Sequence, residues 1–374
     1  MSQLKNNLLR YIVFLITAVA LFLGLLVSAS AQEPLSSSAR ELFSSLDAET
    51  RELLSGLGLE SFEIEALFSL SPSLVLSQLA RLVRDGIKKP LAAVGIIMGT
   101  TVLISFSNSL LHRRGTAQSM NIVLLLVICL EAAAPLLLCV RSAINAIKLL
   151  CDFTLCLVPV LAVALTGAGK AGSALCWSTA VLTLCQFISR ISFRFLPPLI
   201  GSYAALGLVS ALTPVFNFQN ISQFIKKLFS VFLGLGGSIF SGLLSIKTGL
   251  ASTADNIAAR GVRFLIGGLV PVVGSSVSEA LGSVIGSVRL AGGSLGSFGI
   301  IALAAIALPC LVEILLWWTA LVISSFVAGL LGESSVGLCL QSLANVLVML
   351  NILLIFVAVI FIVSTGLVLN ILKN

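Results

Sequence analysis

The sequence predicts an all-α fold: a polytopic α-helical membrane protein with a small helical extracytoplasmic segment near its N-terminus. Three observations predict it. The 374 residues are 58% hydrophobic and 10% charged, where soluble domains carry about a quarter charged residues; mean hydropathy is +1.14. The apolar residues gather in runs such as 345–369, which holds no charge and exceeds the ~20 residues that cross a bilayer. The chain also opens as exported and membrane-inserted chains do. Lys5 and Arg10 precede an apolar stretch over 11–27, and Ser28-Ala-Ser-Ala31 follows. This is the layout of a cleavable signal peptide over 1–31, with an uncleaved anchor as the alternative. Either reading starts the following chain on the far side of the cytoplasmic membrane.

Residues 32–89 form the sizeable polar segment. Leu42, Phe43, Leu46, then Leu53, Leu54, Leu57, then Phe62, Ile64, Leu67 and Phe68 recur at helical spacing with acids between them. Ser71-Pro72 offers a break and a new helix start. These amphipathic helices are too few for a core of their own, so they are expected to pack on the membrane domain or on a partner.

The multi-pass domain occupies 90–374. Spans are expected over 91–111, 119–140, 149–168, 171–190, 195–216, 228–246, 300–331 and 345–370, with 264–288 as a weaker ninth. The 300–331 run is long enough to tilt, kink at Pro309 or break.

Residues 247–289 stand apart. They are too polar and glycine-rich for a lipid-facing helix, and irregular backbone at membrane depth survives only beside protein or a wet cavity. Asn256, Arg260 and Arg263 share one helical face, next to Asp255, on what reads as an interfacial helix. Gly267, Gly268 and Pro271 should break it. A helix then resumes, with Gly282 and Gly286 spaced for close packing. A pore-lining element and a tight packing element both fit this pattern.

Glu131, Glu279 and Glu313 fall inside apolar runs. An ionisable group there costs at least ~2.5 kcal/mol and turns to a cavity or a partner. Glu131 precedes Pro135 by four residues and Glu313 follows Pro309 by four, so each acid shares a helix face with a proline. That arrangement suits a cation or proton path, and equally a protonated glutamate that locks helix to helix. Asp152 reads as interfacial.

Motifs for soluble chemistry fail on context. Gly292 to Gly296 matches G-x-S-x-G, but His112 is the one histidine and no strand precedes the serine. Residues 242–248, GLLSIKT, lack the glycine before the lysine that a phosphate loop needs. No cofactor or metal motif is present, and the eight cysteines form no C-x-x-C pair. No enzyme class is indicated. The net charge of +7 marks loop ends and contacts with membrane lipid rather than nucleic acid.

Residues 242–289 carry a resemblance as well. GLLSIKT over 242–248, ADNIA over 254–258, GLVPVVG over 268–274 and SEAL over 278–281 follow a signal-like leader and a short helical segment. This order resembles the stage III sporulation protein AE family over nearly the whole chain. The resemblance implies a mother-cell membrane protein at the boundary with the forespore, in the channel or secretion-like complex needed for endospore formation. It implies as partners the other stage III sporulation A proteins, among them a secretion-type ATPase and ring-forming subunits, and a forespore-membrane protein. It supplies no catalytic residue. The expected function is a channel or export-gate-like subunit; a scaffold seating the ATPase and rings, and an independent secondary transporter, are the alternatives.

Overall fold

The computed structural model describes residues 46–56, 72–110, 114–194 and 274–373, with isolated positions between 197 and 242. The regular elements there are helices: α1 (Ala48–Gly56), α2 (Pro72–Gly86), α3 (Lys88–Leu110), α4 (Arg114–Gly167), α5 (Ala171–Arg194), α6 (Gly274–Leu330) and α7 (Ser334–Lys373). No strand occurs among the described residues. Helices α3 to α7 each contain a segment long and apolar enough to cross a membrane: Lys88–Ser107, Val123–Gly167, Ala171–Arg190, Gly292–Leu330 and Ser334–Leu372. The leader over 1–31 and the polar stretch from 247 to 273 lie outside the described residues.

Several expected spans are joined. The segments 119–140 and 149–168 belong to one helix, α4, unbroken through residues 141–152. The polar residues around this junction, Arg141, Ser142, Asn145, Lys148 and Asp152, do not stop the helix. Each is tolerated in a helix interior, and no glycine or proline lies between Pro135 and Pro159. Likewise α6 joins the weaker candidate, from Gly274 on, to the 300–331 run and continues through Pro309. The last run begins earlier than expected, since α7 starts at Ser334. The stretches 195–216 and 228–246 are described only at isolated helical positions.

Two reverse turns fold the long helices back. Gly169 and Gly332 have φ of 80° and 81°, a left-handed conformation that glycine adopts without a Cβ penalty. At each turn the amide two residues past the helix cap reaches back to a carbonyl of the last turn. Lys170 N–H donates to Leu165 O and Glu333 N–H to Ala328 O, which satisfies carbonyls the helix end leaves free. The turns lie at opposite ends of the molecule. Cys129 Sγ lies 3.2 Å from Cys339 Sγ and Ser105 Oγ donates to Leu331 O, so α3 ends and α4 begins near Gly332. Lys170 Nζ donates to Ile371 O, so α4 and α7 both end near Gly169.

Between these ends α6 packs along α7 and α4, and α4 also packs on α5, α7 and α3. The closest approach is at glycines of α6. A Cβ added to Gly296 would lie 2.5 Å from Leu369, and one on Gly299 would lie 2.6 Å from Leu157. Trp177 of α5 is 1% exposed, and its Nε1–H donates to the carbonyl of Ser364 at 3.1 Å. Helices α1 and α2 lie against α6, burying Leu53 and Leu54.

Candidate functional site

A cleft of about 790 Å³ opens halfway along the bundle. Four pieces of chain make it. From α4 come Ser142, Asn145, Lys148, Leu149 and Asp152, spaced to share one helical face. From α6 come Ile306, Pro309, Cys310, Glu313 and Trp317, again one face. The floor is closed by Asp47 and Thr50 at α1 and by Asp85, Gly86 and Lys89 at the α2–α3 junction. Gly86 lets that junction close on α6, because a Cβ there would meet Leu316 at 2.9 Å.

The cleft is charged. Glu313 is half-buried, while Lys89, Lys148 and Asp152 reach solvent. The Oδ1 atom of Asp47 is buried without a hydrogen-bond partner. Asn351 of α7 is fully buried with both amide atoms unpartnered; the pairing of Gly337 with Ser325 and of Gly366 with Ile300 brings it to the level of Glu313. Polar atoms left unmatched in a low dielectric cost about 1–3 kcal/mol each. Ser107, Arg289 and Ser324 carry others away from the cleft. Among the described residues no group of three His, Cys, Asp or Glu side chains is arranged to hold a metal ion.

The cleft collects only part of what the sequence singled out. Glu313 and Pro309 line it. Glu131 does not: Cys139, which lies within electrostatic reach of Glu313, is eight residues further along α4, about 12 Å of helix. Glu279, Gly282 and Gly286 lie on the α6 backbone, with their side-chain surroundings outside the described residues. Glu279 is about 50 Å of helix from Glu313, so the three glutamates do not form one site. Asp255, Arg260, Arg263, Gly267, Gly268 and Pro271 lie outside the described residues. Residues 292–296 are interior to α6, packed on Ala164, Leu369 and Leu372, with no nucleophile elbow. The cleft's other charges carry no sequence signal: Lys89, Lys148 and Asp152 sit at the edges of apolar runs, where a loop-end reading explains them, and Asp47 and Asp85 sit in the polar segment 32–89. Asn351 was hidden inside the most apolar run of the chain.

The family profile described as Stage III sporulation protein AE matches residues 58–371. The chain belongs to the stage III sporulation protein AE family. It is also similar to the Stage III sporulation protein AE of Bacillus subtilis (strain 168), with 25% identity over 222 residues, 58% of this chain and 56% of the relative. The match thus spans about half the relative's length. No solved structure matches. Membership in the stage III sporulation protein AE family gives the chain a role in sporulation, and the five long apolar helices among the described residues give it the make-up of a multi-pass membrane protein.

Proposed function

We propose that this chain is a channel or export-gate-like subunit of the complex between mother cell and forespore, with the cleft around Glu313 as a polar station on its path. The observation that carries the reading is the convergence of Glu313, Asp47, Asp85, Lys89, Lys148 and Asp152 on one cavity in a chain otherwise 58% hydrophobic. Charge is expensive among apolar helices and collects where it serves passage or partner binding. The partners in this reading are the other stage III sporulation A proteins, including the ATPase and ring-forming subunits, and a forespore-membrane protein. The residues it rests on belong to the mother-cell membrane component.

The test separates two glutamates. Glu313→Gln keeps the shape and removes the charge, and should impair forespore gene expression while the complex still co-purifies. Glu131→Gln, outside the cleft, should leave sporulation near normal. Normal sporulation of the Glu313→Gln strain sinks the conducting role. A scaffold role is favoured by the close approach of Gly292, Gly296 and Gly299 to α4 and α7. In that case bulky substitutions there lose the partners and Glu313→Gln changes nothing.

A further inference from the structure

The fold treats Glu313 and Glu131 differently. Glu313 shares its cleft with Lys89 and Lys148. Glu131 has no cation beside it on the described helices. It is the one charged residue between 122 and 140 and stands midway along that run, with about 14 Å of helix on either side. A glutamate side chain is too short to reach the ends. The nearest base on α4 is Arg141, about 15 Å along the axis. No lysine or arginine occurs over 90–110 of α3, or over 290–372 of α6 and α7. Among the described residues the Glu131 carboxylate has neither a hydrogen bond nor an ion pair.

The side chain is partly exposed on the outer side of α4. Val127, Ala134 and Leu138 share its face, four residues before it and three and seven after. Around it Val123, Leu126, Val127, Leu130, Leu137 and Leu138 are 47–74% exposed. Such a face suits neither solvent. Lipid would meet an unpaired carboxylate, and water would meet a contiguous apolar patch. Other exposed faces make no such demand. Val163 and Leu175 are exposed to a similar degree, but Thr166 and Thr179 beside them donate to carbonyls of their own helices, Ala162 O and Leu175 O.

We infer that this face of α4 is a docking surface for a membrane-spanning helix of another protein, one that carries a lysine or arginine within its apolar span. Acids at membrane depth pair with bases on neighbouring helices, and such a helix covers the leucines and valines while its cation meets Glu131. Ala133 and Ala134, neither of them buried, let the partner's backbone come close beside the carboxylate. A second copy of this chain fits worse, because a two-fold axis would bring two carboxylates together.

The experiment uses the full chain in its sporulating host, with the photoreactive residue p-benzoylphenylalanine at Ala134 or, as a control, at Leu175. Light should join position 134 to a membrane protein whose captured span contains lysine or arginine, and position 175 should not capture that protein. Glu131→Lys should cut the yield at least tenfold, and replacing the captured base by glutamate should then restore it. Glu131→Leu, which keeps the helix apolar and should leave Tm in detergent unchanged, should lose the crosslink as well. Glu131→Gln keeps an acceptor oxygen for the same donor and should keep most of the yield. The assignment is overturned by no crosslink at 134, by a crosslink to a second copy or within the chain, or by a captured span without a base. It is equally overturned by a yield that Glu131→Lys leaves unchanged, or by a charge swap that restores nothing.

Discussion

Two side chains report on how closely the helices mesh. Trp177→Phe removes the indole donor to Ser364 and part of a fully buried ring, so it should cost about 1–3 kcal/mol, read as a drop in Tm in detergent. Gly296→Leu should cost more, about 1–3 kcal/mol, because the new side chain has to displace Leu369 from a position it already fills. No change in Tm for Gly296→Leu would mean α6 and α7 do not approach as described. At this scale the sequence was partly legible. Glu313 was visible because a carboxylate in an apolar run has few explanations. Asp47, Lys89 and Asp152 were not, because each is ordinary in its own segment and becomes unusual only when α1, α3 and α4 meet α6. Asn351 is a single uncharged amide, too small a perturbation for hydropathy to reveal.

The helices themselves were legible in position and not in continuity. Apolar runs located α3, α5 and the cores of α4, α6 and α7. The expectation that one span ends at residue 140 and the next begins at 149 failed because charged side chains do not break helical hydrogen bonds. The turns come instead where a glycine takes positive φ. Gly332→Ala forces a Cβ into φ of 81° and should cost about 1–2 kcal/mol, measurable as a lowered Tm, and Gly169→Ala should behave alike. The register of α4 on α7 has a covalent test. Copper phenanthroline should join Cys129 to Cys339, whose Sγ atoms are 3.2 Å apart, as an intramolecular disulfide lost in Cys129→Ser. Failure to form it in the full chain refutes that pairing.

For the whole molecule, composition alone settled the class, since 58% hydrophobic residues exceed what a soluble core of this size can bury. It said nothing about how far the helices extend. Labels at Leu130 and Val163 measure that directly. If α4 is one rod, pulsed electron resonance should find them about 50 Å apart; a separation below about 30 Å would show that α4 folds back at residues 141–152 after all.

The bond between Trp177 and Ser364, with the pairing of Cys129 and Cys339, has a bearing on biosynthesis. Helix α7 is the last described element to leave the ribosome, yet it supplies mates for α4, α5 and α6. Until it arrives, the indole donor of α5 and the side of α6 at Gly296 have no counterpart, and the earlier helices can be inserted but not finally packed. Final packing of the described helices therefore waits on α7.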